Sequence, residues 1–389
     1  TMAGQWGEET LQGLLARNAE SRPDTLAVKD QPDRAELTGD PPLALTWAQL
    51  QAASDNLAAQ LRSAGVAGGD ALVAQLPNVT ELLVSYYAVA KLGAVISPVP
   101  VQYGAHELQQ LAGAVRAKTL VSISRLRDTP LAAHARAALP QVSTLVFGED
   151  LHIDLGESGE PFKAHEADAN RTLTICWTSG TTGTPKGVPR SHNMWLATAR
   201  TSIEAGSMRS DDVLLNPFPL VNMAALGGFL FPAALLGATI VLHHPLDPAL
   251  FLSQMQEERI SFTIAPPALL NQLARSPEMW RRFDFSHLRR IGSGSAPLAP
   301  DMIATFRDDY GIEVVNFYGS NEGISLFATP EDAPEPAVRA SMFRRPGPGG
   351  LIATRVVDPE TAAEVKVPGE RGELVIHGAT VFDLSLIHI

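Results

Sequence analysis

The sequence predicts an α/β fold: two βαβ-type subdomains with parallel sheets, packed in layers, followed by a small β-barrel-like subdomain. Short apolar runs alternate with helix-like stretches through most of the chain, which is the pattern of βαβ units. Beyond Gly347 the runs GLIATRVVD and GELVIHG flank a turn-rich segment, which favours short antiparallel strands in a small sheet or barrel. We therefore expect subdomains at about 1–170, 171–345 and 346–382.

In the first half, the apolar runs DALVAQL, AVISPVP, TLVSI and STLVF predict strands. Helix-like stretches separate them, from Glu81 to Leu92, from His106 to Gly113, and through an Ala-rich segment before STLVF. The segment PDRAELTGDPP, before Leu45, is expected to be an exposed loop.

A second series begins with a strand from Leu173 to Trp177, a Gly/Thr loop and a helix from about Ser191. The later runs DVLLNPF, TIVLHH, SFTIAPP, LRRIGSGS and EVVNFYG predict further strands, with helices near 247–259 and 300–310. There is no internal repeat, so a solenoid is excluded.

Composition narrows the class of protein. The 389 residues carry 42 Asp and Glu against 30 Lys and Arg, a formal charge of -12 that disfavours a surface for nucleic acid or anionic lipid. The single cysteine, Cys176, is expected to be a buried strand residue in a reducing compartment. The first residues lack the basic head and apolar run of a signal peptide, so a cytoplasmic location is expected.

The uncharged stretch from Leu220 to Leu242 is long enough to span a bilayer. Gly237 divides it into a helix-like part and a β-branched part, which favours a buried helix, turn and strand over a membrane span. The pair His243 and His244 lacks the spacing of zinc ligands.

The segment TSGTTGTPKG, from Thr178 to Gly187, lies between an apolar strand and a helix. Small hydroxyl residues and glycines leave backbone N–H and side-chain O–H groups free to surround phosphate oxygens, and Lys186 adds a mobile positive charge. The spacing differs from that of a Walker loop. The segment therefore predicts a phosphate-binding loop of another kind.

Two more segments follow predicted strands, where parallel sheets place their ligands. In NFYGSNEG, Tyr318 can stack a purine, Gly319 allows close backbone approach, and Glu322 is a hard oxygen ligand for magnesium. A solvated carboxylate at a strand end is the alternative for Glu322. In GSGSAP, Gly294 has no Cβ and could let a planar ligand lie against the backbone.

These motifs resemble those of the adenylate-forming superfamily, which includes acyl-CoA synthetases, aryl-acid ligases, nonribosomal adenylation domains and luciferases. The resemblance runs from LTWAQL through KLGAVISPV to RGELVIHG. It implies catalytic roles for Thr182, Asn321 and Glu322, with Mg²⁺ on Glu322. The ATP and AMP contacts that it implies are Thr178, Ser179, Gly180, Thr181, Thr182, Gly183, Lys186, Gly294, Ser295, Ala296, Pro297, Asn316, Phe317, Tyr318 and Gly319.

The segment NPFPLVNMAALGG resembles the family's acid-pocket stretch, with Asn222 where an aromatic residue or His is common. An amide there could hydrogen-bond a polar substituent of the acid or widen the pocket. Asn321 replaces the usual Thr, whose hydroxyl contacts the adenylate phosphate. The implied acid-pocket residues are Phe218, Asn222, Met223, Gly227, Gly294, Ser320 and Ile324, and the alternative for its walls is ordinary core packing.

The resemblance implies ATP-dependent activation of a small carboxylic acid to an acyl-adenylate, with transfer to CoA. Alternatives are an aryl-acid AMP ligase that feeds a carrier-protein thiol, a luciferase-like monooxygenase and a non-catalytic adenylate-binding remnant. The family's mobile C-terminal domain, with its catalytic Lys, has no counterpart here, and residues 383–389, DLSLIHI, are expected to be foreign or truncated. We therefore expect an impaired ligase fragment.

Overall fold

A computed structural model describes residues 5–156, 162–178, 185–347, 350–367 and 369–382. The strands within these residues are β1 (Leu26–Lys29), β2 (Ala44–Thr46), β3 (Ala71–Gln75), β4 (Val95–Pro98), β5 (Thr119–Ile123), β6 (Ser143–Phe147), β7 (Thr172–Thr178), β8 (Lys186–Ser191), β9 (Val213–Asn216), β10 (Thr239–Leu242), β11 (Phe262–Ile264), β12 (Arg290–Gly294), β13 (Glu313–Gly319), β14 (Ser325–Ala328), β15 (Ile352–Val357) and β16 (Glu373–Gly378).

The helices connect most of these strands. They are α1 (Leu11–Ser21), α2 (Arg34–Thr38), α3 (Trp47–Ser63), α4 (Thr80–Leu92), α5 (Ala105–Ala114), α6 (Leu131–Ala138), α7 (His192–Gly206), α8 (Met223–Ala225), α9 (Phe231–Leu236), α10 (Pro248–Glu257), α11 (Pro267–Arg275), α12 (Pro277–Trp280), α13 (Pro300–Tyr310) and α14 (Pro336–Ser341), with a π-helical turn at Leu226–Leu230.

Two large sheets form the fold. The six-stranded sheet has the order β6-β5-β3-β4-β7-β8, and the eight-stranded sheet has the order β14-β13-β12-β11-β9-β10-β1-β2. Neighbouring strands are parallel except at the edges, where β8, β14 and β2 pair antiparallel. The predicted parallel sheets are confirmed, and most predicted strands and helices match to within a few residues.

The boundary expected near residue 170 does not separate these sheets. Strands β1 and β2 come from the first part of the chain but join the eight-stranded sheet, while β7 and β8 join the six-stranded one. Apolar pattern predicts which segments are strands, whereas strand partners are chosen by packing between residues far apart in sequence.

Apolar side chains alternate along the strands and so bury both faces of each sheet. Leu72 and Leu214 face a central layer that contains α1, α3, α4, α7 and α9, whereas Val73 packs on α5 and α6, and Leu215 packs on α10, α11 and α13. This gives five layers, helix–sheet–helix–sheet–helix. Every residue of α4 is buried, as a helix between two sheets requires. Cys176 is buried in β7, where burial raises the pKa of its thiol to about 11.

The segment expected to be an exposed loop contains helix α2, in which Arg34, Leu37 and Thr38 are buried. Arg34 is 2% exposed and donates hydrogen bonds to the carboxylates of Asp30 and Glu81. Asp30 also accepts from the backbone N–H and the hydroxyl of Thr80, at 2.8 and 2.9 Å. A charged, Pro-flanked segment favours solvent unless carboxylates neutralise its charge. The prediction was wrong because Asp30 and the distant Glu81 both pair with Arg34.

The small C-terminal unit is a ribbon, and the expected barrel-like form is wrong. Strands β15 and β16 pair antiparallel from Ile352 with Gly378 to Val357 with Glu373. Within the described residues no further strand joins them, and closing a barrel requires more strands than two.

The uncharged stretch folds as helix, turn and strand. Helix α9 ends at Gly237, whose φ of +69° is a left-handed helix cap, and β10 follows. Across the described part of the chain, no helix combines the length and apolarity that crossing a membrane demands.

Arg34→Ala is expected to lower the free energy of unfolding by about 3 to 5 kcal/mol, because two buried carboxylates would lose their cation. Urea denaturation would measure it. Arg275→Ala, at an exposed position without an ion pair to described residues, should change it by less than about 0.5 kcal/mol. Equal effects of the two substitutions would rule out a stabilising role for the pairing of Arg34 with Asp30 and Glu81.

Candidate functional site

A cavity of about 870 Å³ lies at the carboxyl ends of β12 and β13. Because these strands are parallel neighbours, their ends and the segments that follow them meet at one edge of the sheet. The predicted site residues that line it are Phe218, Met223, Gly294, Ser295, Ala296, Pro297, Asn316, Phe317, Tyr318, Gly319 and Ile324. Three segments that are distant in sequence therefore share one cavity.

Gly294 lies at the end of β12, where the neighbouring strand leaves no space for a side chain. A Cβ at this position would lie 2.1 Å from the carbonyl oxygen of Phe317 on β13. No side chain fits there, so close strand packing already requires the glycine, whatever the ligand. The next residue, Ser295, has a φ of +67°, which is uncommon for a residue with a Cβ.

The last residues of β13 have different environments. Asn316 is buried, and its side-chain amide donates to the carbonyls of Arg339 and Ala340, at 2.9 and 3.2 Å, which ties α14 to the cavity. Tyr318 is 46% exposed, with its ring centroid 5.6 Å from that of Phe343. An exposed aromatic ring at a cavity rim offers a face on which a planar ligand can stack.

A tight turn follows β13. The N–H of Gly323 donates to the carbonyl of Ser320 at 3.0 Å, and Gly323 has a φ of +115°. A Cβ on Gly323 would lie 2.3 Å from the carbonyl oxygen of Thr380, whose hydroxyl donates to the carbonyl of Gly323 at 2.7 Å. The segment after β16 therefore holds the turn from outside.

Asn321 connects this turn to two other parts of the site. Its side-chain oxygen accepts from the N–H of Met223 at 2.8 Å, and its side-chain N–H donates to the carbonyl of Trp177 at 3.0 Å. Met223 lines the cavity, and Trp177 is one residue before the end of β7. Both ends of the amide are thus used to position protein segments.

Arg190, on β8, is a buried cation that the sequence analysis did not identify. Its guanidinium donates to the carbonyls of Asn321, Met194 and Thr380, at 2.9, 3.1 and 3.0 Å. It also donates to the hydroxyl of Thr198 at 2.9 Å and lies 4.2 Å from the ring centre of Trp195. Burial lowers its pKa to about 10, so it stays charged at neutral pH. The surrounding sequence KGVPRSHN is not an apolar run, so it gave no signal that this arginine is buried.

The structure describes only the two ends of the predicted phosphate loop. Thr178 ends β7 and pairs with Lys186, which begins β8. The predicted residues Ser179, Gly180, Thr181, Thr182 and Gly183 lie outside the described residues. The hairpin therefore brings Lys186 to the same end of β7 as Trp177.

Glu322 is a half-buried carboxylate in the turn that follows β13. No hydrogen bond or ion pair from the described part of the chain reaches its side chain, although its charge raises the pKa of Arg190 against the lowering by burial. A carboxylate with free oxygens fits the hard oxygen ligand that Mg²⁺ requires.

Three residues expected in the acid pocket do not line this cavity: Asn222, Gly227 and Ser320. The side-chain oxygen of Asn222 caps α8, accepting from the N–H groups of Ala224 and Ala225 at 3.1 and 3.3 Å. Gly227 packs against α7, since a Cβ there would lie 2.6 Å from the methyl of Thr198. Helix capping and helix packing account for these two residues.

The inner walls of the cavity are mainly apolar. They include residues that the sequence analysis did not identify, namely Ile264, Phe327, Ala337, Ala340 and Phe343. The polar residues are uncharged, among them Thr198, Ser202, Ser325 and Ser341, and none of the lining residues that the structure describes is charged. Such walls suit an uncharged, largely apolar part of a ligand.

The two layered sheets and the cavity at a carboxyl edge define an α/β protein of the type found in the N-terminal domains of adenylate-forming enzymes. The chain belongs to the AMP-binding enzyme family, whose profile matches residues 15–384.

Two relatives and one solved structure illustrate the similarity. The chain is 30% identical to a feruloyl-CoA synthase from Amycolatopsis sp, over 87% of this chain and 66% of that protein. It is 28% identical to a salicyl-AMP ligase / salicyl-S-ArCP synthetase from Mycobacterium tuberculosis, over 97% of this chain and 66% of that protein. The chain thus spans slightly less than two thirds of either relative.

The solved structure is an inhibitor-bound N-terminal domain of FACL13 from Mycobacterium tuberculosis. It is 26% identical to this chain and superposes with a TM-score of 0.82, covering 97% of this chain and 91% of that one. The layered arrangement of the two sheets is therefore shared along nearly the whole chain.

Gly294→Ala is expected to destabilise the protein by about 3 kcal/mol, because the new methyl would push β12 from β13. Thermal unfolding monitored by circular dichroism would measure this. Gly113→Ala is the matched control: its Cβ would meet no atom within 4 Å, and alanine in α5 should stabilise the fold by about 0.5 to 1 kcal/mol. If both alanines were tolerated alike, the close contact with Phe317 would not constrain the cavity.

Asn321→Leu is expected to lower the free energy of unfolding by about 2 to 4 kcal/mol, since the Met223 N–H and the Trp177 carbonyl would lose their partners. Urea denaturation would measure the change. Asn271→Leu is the control, because the side chain of Asn271 makes no hydrogen bond with described residues, and it should change stability by less than about 0.5 kcal/mol. A neutral Asn321→Leu would mean that the amide does not hold the segments together.

Proposed function

We propose that this chain uses ATP to convert a small carboxylic acid into an acyl-adenylate, whose acyl group then passes to the thiol of CoA with release of AMP. The observation that carries the proposal is the hydrogen bond from Asn321 to the carbonyl of Trp177. It places the turn that contains Glu322 beside the end of β7, from which the predicted phosphate loop begins. A triphosphate bound by that loop would therefore lie near a free carboxylate.

In the proposed reaction, a carboxylate oxygen of the acid attacks the α-phosphorus of ATP and pyrophosphate leaves. Lys186 adds positive charge at the base of the loop, where negative charge accumulates on the phosphates. Mg²⁺ held by Glu322 would offset phosphate charge. Thr182, to which the resemblance gives a catalytic role, lies outside the described residues.

The nucleotide is proposed to lie on the polar, exposed side of the cavity. Tyr318 offers a ring face for the adenine, and the segment from Gly294 to Pro297 offers backbone groups along one edge. Within this cavity-lining segment, Ser295 has a φ of +67°, an uncommon conformation for a residue with a Cβ.

The acid is proposed to lie against the apolar walls. Met223, Phe317 and Phe327 contribute aromatic and flexible apolar surface, and none of the described lining residues could pair with a second charge on the acid. We therefore propose an aromatic or alicyclic monoacid. The name feruloyl-CoA synthase, carried by one relative, agrees with an aromatic acid.

The thiol acceptor has a second candidate. The relative named salicyl-AMP ligase / salicyl-S-ArCP synthetase favours a carrier-protein thiol over CoA. Incubation of the chain with acid, ATP and either CoA or a phosphopantetheinyl carrier domain would distinguish them by mass spectrometry of the thioester.

Glu322→Gln is expected to lower pyrophosphate release about 100-fold or more, because a neutral amide is a weak ligand for Mg²⁺. The measurement is a coupled pyrophosphate assay on the purified chain with a library of aromatic, alicyclic and short-chain acids. Glu370→Gln, at an exposed position without an ion pair to described residues, is the matched control and should retain full activity.

Acyl-sulfamoyl-adenosines provide a second readout that needs neither magnesium nor turnover. They should raise the melting temperature of the wild type and of Glu322→Gln alike, in proportion to ln(1 + [L]/Kd). Stabilisation without pyrophosphate release would indicate the adenylate-binding remnant. If no member of the panel stabilised the wild type, the proposed function would be wrong.

A further inference from the structure

One serine on α7 has a side-chain hydroxyl that the described part of the protein leaves unused. Ser202 is 3% exposed and lines the cavity at the carboxyl ends of β12 and β13. Within the described residues, its side-chain oxygen neither donates nor accepts a hydrogen bond. Buried polar groups are normally paired, so an unpaired hydroxyl in a cavity wall indicates a partner that a ligand supplies.

Helix α7 itself does not satisfy this hydroxyl. A serine inside a helix often donates to the backbone carbonyl four residues earlier, which for Ser202 is the carbonyl of Thr198. That carbonyl already accepts the hydroxyl of Thr201 at 2.7 Å, in addition to the backbone N–H that a helical carbonyl receives. Both of its lone pairs are therefore used, and the hydroxyl of Ser202 is left to the cavity.

The neighbouring hydroxyls on α7 and β14 are already paired. The hydroxyl of Thr198 accepts from the guanidinium of Arg190 at 2.9 Å and donates within α7. The hydroxyls of Thr201 and Ser325 lie 3.0 Å apart and bond to each other. Among the described cavity residues of these two elements, Ser202 therefore carries the hydroxyl that is free to bind a ligand.

Arg190 fixes the position of α7 relative to the proposed site of reaction. Its guanidinium donates to the hydroxyl of Thr198 and to the carbonyl of Asn321, in the turn that contains Glu322. Ser202 lies four residues beyond Thr198, about 6 Å further along the helix axis. Under the proposed function, the carboxylate of the acid meets the nucleotide near that turn. A group that meets Ser202 therefore lies at the other end of the acid.

The composition of the walls favours a neutral group at this end. Ile264, Phe317 and Phe327 make the inner walls apolar, and none of the described lining residues is charged. An ionised substituent there would lose its hydration without gaining a partner of opposite charge. A hydroxyl of the acid, by contrast, can donate to Ser202 or accept from it.

We infer that the acid carries a neutral hydroxyl at the end remote from its carboxylate, and that Ser202 selects the acid by a hydrogen bond to this hydroxyl. The inference rests on the proposed function, because it places the acid in this cavity. It narrows the aromatic or alicyclic monoacid to a hydroxylated one. Ser202 thereby takes the role that the sequence suggested for Asn222, whose side-chain oxygen caps α8.

The test compares the binding of matched acyl-sulfamoyl-adenosines to the intact chain by isothermal titration calorimetry. The pairs are 3-hydroxybenzoyl with 3-methylbenzoyl, 4-hydroxybenzoyl with 4-methylbenzoyl, and 4-hydroxycinnamoyl with 4-methylcinnamoyl. Hydroxyl and methyl are similar in size, so each pair differs mainly in hydrogen bonding. We expect the hydroxyl member of at least one pair to bind about 10- to 100-fold more tightly, because a methyl would leave Ser202 buried without a partner.

Ser202→Ala is expected to remove this preference, because the hydroxyl of the ligand then loses its partner. The melting temperature of the ligand-free variant should equal or exceed that of the wild type, since the serine hydroxyl has no bond to described residues to lose and alanine favours a helix. A purely structural role of Ser202 would instead lower the melting temperature and leave the preference unchanged.

Ser54→Ala is the matched control. Ser54 is a fully buried serine of α3 that lies outside the cavity, and its hydroxyl donates to the carbonyl of Leu50 at 2.6 Å. This variant should keep the preference for the hydroxyl member of each pair that the wild type shows.

The outcomes separate this inference from the proposed function. Equal affinity of the wild type for both members of every pair would overturn the inference and leave the proposed function intact, with water as the partner of Ser202. A preference that persists in Ser202→Ala would also overturn it. If no compound of the panel binds, the proposed function fails, and the inference fails with it.

Discussion

The position of the cavity depends on one buried cation, Arg190. From β8 of the six-stranded sheet it donates to the turn after β13 of the eight-stranded sheet and to Thr380 after β16. Removing a guanidinium from water costs several kcal/mol, and this cost is offset by four hydrogen bonds to oxygen and by contact with the ring of Trp195. Its pKa of about 10 keeps these interactions intact at neutral pH. Strand β8, the turn after β13 and the segment after β16 are thereby held around a single charge.

The same region shows how close packing prepares a site for chemistry. Gly294 and Gly323 each face a carbonyl oxygen where no Cβ would fit, so the backbone segments around the cavity approach one another closely. Asn321 uses both ends of its amide to join the cavity wall to β7. With its neighbours fixed in this way, the side chain of Glu322 remains free of hydrogen bonds and ion pairs within the described residues. The cation binding proposed for Glu322 would therefore need little reorganisation of this turn.

Local pattern predicted the secondary structure well and the long-range arrangement poorly. The strands β3 to β7, the buried helix α4 and the turn at Gly237 follow from apolar periodicity and glycine, which act within a few residues. The barrel-like unit and the exposed loop before Leu45 were wrong, and the division near residue 170 does not separate the two sheets, because each depends on contacts between distant segments. In the site, GSGSAP and NFYGSNEG were located from their positions after strands, whereas Phe343 and Ile264 carry no motif. Asn222 was assigned to ligand contact, but its side-chain oxygen caps α8.

The sequence by itself determined the α/β class, the parallel strands and the segments that meet at the cavity, because periodicity and small-residue motifs are local properties. Tertiary structure alone decided that Arg34 and Arg190 are buried, and that β1 joins the eight-stranded sheet while β7 joins the six-stranded one. Those outcomes depend on residues far away in the sequence. Such residues either pair with a buried charge or pack in the same layer of the fold. A charged or amide residue is the same in the sequence whether it is buried or exposed. Only the groups that surround it in the folded chain distinguish the two cases.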